Sequence, residues 1–549
     1  MDNAAHLVSR LVTLTRSSGY LAPDHATAAA ATLLEARPLT PPLAALGSGL
    51  VRHAAIFDPF DRDTLRLAED VNRTLGHPPM GDWLAKARRL TAAEPVPEAI
   101  NPPDPRAAAP DALLTHVLAQ PANAHRYPVL LALWRAGARE QLIRAIEIMA
   151  ASPSGLLAGP MLAWGAYGAG EPLLAQMLLD ESVTAFPAHT LRARMALDQG
   201  DTAGARDHLL ATLDAEPFQP AAIEQLAGLA DGHAGPGPTP GPNTHICLYS
   251  WNKPDMLART VASLAATRLG QARVTILNNG TTTCPPDELE RRVREAAPGL
   301  AASLAFVHLP VNVGAPAARN WLLAMPEVRA ARLVAFLDDD VLLPPHWLSR
   351  LTATLARFPE AAAAGCKCVN QGVRTIQYAF RNLSEVGERK IRFTPNAPTL
   401  MDMGQFDAAR PCLTVMGCCH LLHRERLDRL NVPDFGVRFS PSQVDDIEHD
   451  MQIWKAGGQV IYDGGVAVVH LQDTGGARTR ASLAQAHANH HKLEHTFSHD
   501  DLLRMDKATA RADRLHFTRA LGTVLPTLDG PAGAFWRMLH PLLLEALAD

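Results

Sequence analysis

Cysteine is scarce in this sequence: seven residues in 549, the first of them Cys247. Cys247, Cys284, Cys366, Cys368, Cys412, Cys418 and Cys419 include no C-x-x-C pair and no zinc-ligand spacing. So few and so irregular a set excludes a disulfide scaffold and reads as free thiols, most of them small packing residues in the interior. A surplus of basic charge is missing too. Lys plus Arg number 51 against 56 Asp plus Glu, a formal net charge of -5. That balance leaves no electrostatic footprint for nucleic acid or an anionic membrane surface. No apolar run approaches the ~20 residues of a membrane-spanning helix. The first twenty residues carry an early Asp2 and no apolar h-region, so no signal peptide is expected and the cytoplasm is the expected compartment.

What the chain does have is material for real cores, with 47% apolar residues, and a length that predicts roughly three or four domains at ~150 residues each. Composition divides it. Residues 1–230 are rich in Ala and Leu at helical spacing, broken by prolines, and predict an all-α domain. The stretch LRARMALDQGDTAGARDHLLATLDAEPFQPAAIEQLAGLA resembles a degenerate tetratricopeptide hairpin. It has a Gly200-Asp201 turn, small Ala193, Ala196 and Ala205 where helices approach, and Pro217 before the next helix. Glu94 to Pro110 is Pro-rich and reads as an exposed connection. Residues 231–243, DGHAGPGPTPGPN, can neither continue a helix nor pack as a strand, and form a linker.

From Thr244 to about residue 475, strands alternate with helices, the pattern of a mostly parallel α/β sheet. Three predicted strands end in polar clusters, at Ser250–Lys253, Asn278–Thr283 and Asp338–Asp340, which should meet at one sheet edge where ligands bind. Residues 476–549 predict a helical extension packed on the α/β domain or on a partner. Within it His487, His491, His495 and His499 recur at intervals of four. That spacing places them on one helix face, as a solvated or interface stripe rather than a metal site.

The most informative segment is ARLVAFLDDDVLLPPHWL. An apolar strand delivers three adjacent carboxylates to its end, and their mutual repulsion calls for a cation. Asp338 and Asp340, two residues apart on an extended chain, face the same side. Two such carboxylates suit a hard divalent ion, Mg²⁺ or Mn²⁺, that shares its shell with phosphate oxygens. Trp251 is a candidate platform for a stacked base or a packing residue.

On these residues the stretch from about Thr244 to about Leu471 resembles the GT-A fold glycosyltransferases of family 2. Five elements occur in the family's order: Tyr249-Ser250-Trp251-Asn252-Lys253, Asn278-Asn279-Gly280-Thr281, Asn312-x-Gly314 with Ala318-Arg319-Asn320, Asp338-Asp339-Asp340, and Pro345-x-Trp347-Leu348. Downstream, Val444-Asp445-Asp446-Ile447-Glu448 stands where the family has Glu-Asp-x-Asp, ahead of a helix, a strand and His470. The resemblance implies a metal-dependent, inverting transfer from a nucleotide-diphosphate sugar to a hydroxyl acceptor. Asp446 falls on its catalytic base. Asp338, Asp340 and His470 fall on metal or diphosphate contacts, and Tyr249, Trp251, Asn252, Asn278, Arg319 and Asp339 on the donor side. Asp445 and Glu448 fall behind the base. A loop with Arg478 and Arg480 could close over the diphosphate, or be a solvated basic loop. The sequence departs from the family at Asn278, where an Asp commonly accepts the uracil N–H, and at Lys253, which lacks the fork of an Arg. A UDP-sugar donor is expected, with a glycan or protein acceptor, a possible protein partner on the helical domain, and no nucleic acid. Other readings are a non-catalytic helical-repeat binding protein with an inactive transferase-like domain, a nucleotidyltransferase, which lacks its Gly-rich loop here, and a glycoside hydrolase, which needs no carboxylate triplet.

Overall fold

The computed structural model describes every residue except 1, 37, 76–77, 93–108, 121, 183–184, 233–234, 236, 388–389, 398–400, 473–478 and 549. Most of the Pro-rich connection and part of the 231–243 linker therefore lie outside the described residues. The described N-terminal region is all helical, from Asp2–Ser18 to Pro220–Ala230. Three successive helical hairpins form its second half: Asn123–Arg135 with Arg139–Ala150, Gly155–Gly168 with Pro172–Glu181, and Phe186–Asp198 with Thr202–Ala215. Each turn holds a glycine at positive φ, Gly137 (69°), Gly170 (81°) and Gly200 (76°), a conformation a side chain would strain. Asp201 then caps the next helix by accepting the Gly204 N–H at 2.8 Å.

The α/β region has twelve described strands: β1 (Thr244–Ser250), β2 (Arg273–Asn279), β3 (Leu304–Leu309), β4 (Leu333–Leu337), β5 (Val341–Leu342), β6 (Ala361–Val369), β7 (Ile376–Tyr378), β8 (Leu383–Val386), β9 (Ile391–Phe393), β10 (Ala409–Cys412), β11 (Cys419–His423) and β12 (Gln459–His470). Ten build one sheet in the order β10-β12-β6-β11-β4-β1-β2-β3, with β5 on β12 and β7 on β6, while β8 and β9 form a separate hairpin. β4, β1, β2 and β3 are mutually parallel. β11 runs antiparallel between β4 and β6. The expected polar clusters at the ends of β1, β2 and β4 thus share one edge.

The C-terminal extension does not sit on the catalytic region alone. Phe517, Leu521, Trp536 and Leu539 enter the same apolar core as Val8, Leu46, Leu50, Leu209 and Ile223 of the N-terminal helices. Trp536 donates its indole N–H to the Pro217 carbonyl at 2.8 Å. The helix His499–Val524 also covers the sheet's β10 edge, which would otherwise expose unpaired backbone groups. The four histidines do not share one helix. The helix that carries His487 and His491 ends at Glu494, because Ser498 opens the next helix with a capping box to Asp501.

One buried network fastens all three regions. Asp513 of the C-terminal helix accepts Arg16 of the first helix at 2.7 Å and Arg410 of β10 at 2.7 Å, and Arg16 also reaches Glu224 at 2.5 Å. A second network joins Lys367 to Asp402 at 2.9 Å and to Asp407, with Arg194 of a helical hairpin on Asp407 at 3.1 Å. Burial opposes the charge of Asp513, but the two guanidinia outweigh it and hold the carboxyl below its ordinary range. Asp513→Ala would leave two buried arginines facing each other, so unfolding free energy should fall by about 3–5 kcal/mol. Urea unfolding followed by tryptophan fluorescence checks this. The native contribution holds above the unfolded carboxyl pKa of ~3.9 and is lost as pH falls through the lower folded value, so the variant should show a shallower acid limb.

Candidate active site

β4 is wholly apolar and buried, and its end releases Asp338, Asp339 and Asp340 into three different environments. Asp338 accepts the Tyr249 hydroxyl at 2.9 Å and lies 3.7 Å from Arg319. Burial pushes its carboxyl up, with repulsion from Asp340 adding to that and Arg319 opposing it. Asp339 turns away, to Ser250 Oγ at 2.6 Å and Lys253 Nζ at 3.2 Å, and burial lifts it to about 6. Asp340 is also buried, but contacts with His470 (3.2 Å) and Lys253 (3.2 Å) outweigh desolvation and hold it down.

His470 ends β12. Its Nδ1 faces Gln377 Oε1 at 2.9 Å, which turns Nε2 toward Asp340. Burial works against its charge, yet the Asp340 contact raises it to about 9. One ligand atom from each of Asp338, Asp340 and His470 lies within 4.8 Å of the others. Asp340 Oδ1 is buried and faces His470 Nε2 at 3.2 Å. Two carboxylates and one imidazole form a donor set that fits a divalent cation. Gln377 has no sequence signal of its own. It lies on a short strand 93 residues before His470 and meets it only through the sheet.

A second group of acids stands at the start of the helix Asp445–Lys455. Gln443 (φ 78°) and Val444 (φ 76°) both adopt left-handed backbone, which is costly for a β-branched residue and is held by the surrounding structure. Asn489 Nδ2 donates to the carbonyls of Ser442 (2.9 Å) and Gln443 (3.2 Å). The turn presents Asp446, half-buried, whose Oδ2 accepts the Gly417 N–H at 2.8 Å and Oδ1 the Ile447 N–H at 2.9 Å. Asp445 points inward to Arg319 Nη1 at 2.6 Å, and its burial lifts its carboxyl to about 6 even beside that cation. Glu448 lies behind, on Gln452 at 2.8 Å, and burial raises it. Gly417 is essential to this arrangement: a Cβ there would lie 2.8 Å from Arg319 Nη2 and 2.9 Å from Asp446 Oδ2.

On the β1–β2 side, Asn252 ties two loops together, its N–H on Thr281 Oγ1 (3.1 Å) and its Oδ1 on the Thr282 N–H (2.7 Å). Asn278 is buried. Its Oδ1 accepts the Thr281 N–H at 2.9 Å and its Nδ2 faces His308 at 3.1 Å, so its amide shapes the loop. Trp251 beside them is 49% exposed, so it is not core packing. Arg480 is exposed at the start of the helix Arg480–Glu494, while Arg478 lies outside the described residues. Asp338, Asp340, His470, Tyr249, Arg319 and Asp445 come together directly, and Asp446 joins them through Gly417.

Residues 242–491 match the family model described as glycosyltransferase like family 2. No curated protein matches the chain. Among solved structures, the mannosyltransferase PcManGT from Pyrobaculum calidifontis, in complex with GDP-Man and Mn²⁺, is similar at 17% identity and TM-score 0.34, over 62% of this chain and 97% of that one. GalNAc-T7 with UDP, GalNAc and Mn²⁺ is similar at 13% identity and TM-score 0.36, over 56% of each chain. TarS 1–349 from S. aureus is similar at 11% identity and TM-score 0.31, over 56% of this chain and 88% of that one. The ordered motifs, the mostly parallel sheet and the family match agree in likening residues 242–491 to the glycosyltransferases of family 2.

Proposed function

We propose that the protein is a metal-dependent, inverting glycosyltransferase that moves a sugar from a nucleotide-diphosphate donor to a hydroxyl on a glycan or protein. The observation that carries this is that one guanidinium joins two groups of acids. Arg319 lies 3.7 Å from Asp338 of the Asp338, Asp340 and His470 cluster and 2.6 Å from Asp445, whose neighbour Asp446 is held by two backbone N–H groups. Asp446 takes the proton of the acceptor hydroxyl as it attacks, since a carboxylate anchored through both oxygens keeps its position while its remaining lone pairs stay available. Arg319 fixes the start of the Asp446 helix through Asp445 and reaches Asp338 of the other group. Asp338, Asp340 and His470 would hold Mn²⁺ or Mg²⁺, which supplies Lewis-acid neutralisation of the leaving diphosphate. The donor is proposed to be a UDP-sugar, with the exposed Trp251 indole as the platform for its base.

The helical hairpins support a repeat-type scaffold that engages the acceptor or a partner protein. Among the described residues no helix is long and apolar enough to cross a membrane. A cytoplasmic location is part of the proposal.

Nucleotide release from a panel of nucleotide sugars, with Mn²⁺, Mg²⁺ or EDTA, tests it. One donor should turn over with metal and stop with EDTA. Asp340→Asn should abolish that metal-dependent turnover. Asp446→Asn should lower kcat by ~10²–10⁴-fold with the donor KM little changed, because it removes only proton transfer. No turnover and no thermal shift with any donor and metal would put the inactive-scaffold reading in its place. Gly417→Ala should cost about 1–3 kcal/mol of stability by overpacking. It should also lower kcat, since the added methyl collides with Arg319 and Asp446. Paired melting curves and kinetics check both.

A further inference from the structure

Beside the carboxylate cluster lies a second constellation that the transfer reaction does not use. Cys366 and Cys368 sit two apart on β6 and so project from the same face. Cys418 reaches that face from the turn that leads into β11. The Cys366 and Cys368 sulfurs are 3.9 Å apart and those of Cys368 and Cys418 are 3.2 Å apart. All three lie within 4.8 Å of one another, with the residues 0%, 0% and 1% exposed. The hydrogen-bond partners of these thiols are other thiols, Cys419 included. Cys412, by contrast, donates its thiol to the Thr414 carbonyl at 3.6 Å.

Simple packing does not require three convergent sulfurs, since Ala and Val fill the neighbouring positions of the same strand. A cation with about 2.3 Å metal–sulfur bonds, centred among three thiolates, sets its sulfurs about 4 Å apart. The Cys366–Cys368 spacing of 3.9 Å matches this, and the Cys368–Cys418 spacing of 3.2 Å widens toward it on loading. We propose that Cys366, Cys368 and Cys418 form a trithiolate site for a soft, thiophilic d¹⁰ cation, separate from the oxygen- and imidazole-lined cluster beside it. Ligand softness sorts the two sites: hard divalent ions prefer Asp338, Asp340 and His470, and soft ions the sulfurs. Loading balances as three S–H bonds broken, three metal–sulfur bonds formed and three protons released, with no redox change. The site would also stiffen the wall of the transferase cleft, because the Cys418 carbonyl accepts the Asp338 N–H at 3.0 Å and Cys368 pairs with Val468, two residues before His470.

Cadmium alone, titrated into the reduced full-length protein, is the probe. The ultraviolet thiolate-to-cadmium charge-transfer band should saturate at one ion per chain. It should persist in Cys284→Ser, which removes a thiol outside the cluster, and in Asp340→Asn, which disrupts the neighbouring cluster. It should vanish in Cys366→Ser, Cys368→Ser and Cys418→Ser whose circular dichroism matches wild type. If a serine variant fails to fold, the cadmium-113 resonance of the wild-type protein decides. A resonance in the sulfur-ligated range supports the site, and the absence of any resonance in that range at saturating cadmium overturns it, whatever signal the Asp338 cluster gives. No band in folded wild type, a band that survives Cys368→Ser, or recovery of a Cys368–Cys418 disulfide in place of cadmium uptake would each overturn it.

Discussion

The Arg319 guanidinium is the contact on which the rest of the site depends. It lies over the rings of Tyr249, Phe336 and Phe435, at 5.2, 5.9 and 5.1 Å, so it is sheathed by aromatic faces as well as by charge. Its nitrogens bind Asp445 at 2.6 Å and the Gly417 carbonyl at 3.3 Å and approach Asp338 at 3.7 Å. One buried cation thus sets the distance between the end of β4 and the helix that begins at Asp445. Removing it would strand the buried Asp445 carboxylate and leave the half-buried Asp338 with Tyr249, at a cost well above that of a surface ion pair. A Lys there would supply the charge without the planar fork that reaches several partners.

Around that cation the local geometry is costly, and the tertiary structure holds it in place. Gln443 and Val444 sit at positive φ, and three backbone carbonyls of the same turn, those of Phe439, Ser442 and Gln443, accept one buried amide, Asn489. Ala315 donates its N–H to the Pro441 carbonyl at 2.7 Å, which fastens the turn to the helix that carries Arg319. The Asp446 wall is therefore assembled from residues near 315, 417, 443 and 489, none of which makes it alone. Strain that persists under such over-determination is typical of sites whose geometry matters to their chemistry.

The helical regions are part of the same solid. The N-terminal helices and the C-terminal pair share one apolar core, and the Arg16, Arg410 and Asp513 network joins that core to the edge strand β10. Arg194 and Arg374, through Asp407 and Asp402, do the same for the hairpins, and Arg374 also donates its backbone N–H to Gly168. A surface formed by the hairpins is thereby held against the sheet by ion pairs to buried carboxylates.

Sequence alone determined the parts that short-range physics controls. The apolar run Leu333–Leu337 before three aspartates fixed a strand end with Asp338 and Asp340 on one side, because they are two apart on an extended chain. The order of five short motifs fixed the fold, and the Gly200-Asp201 turn fixed a helical hairpin. Tertiary structure decided what depends on distant partners. It gave His470 its orientation from Gln377, committed the Asn278 amide to Thr281 and His308, and made Trp251 a surface residue. It split the His487–His499 periodicity between two helices, because a cap at Ser498 outweighs spacing. It also turned three cysteines that read as packing residues into one convergent face, since Cys418 lies 50 residues from Cys368 along the chain and 3.2 Å from it across the sheet. Periodicity and motifs act over a few residues; the register of β6, β11 and β12 is a property of the whole sheet, and no local pattern records it.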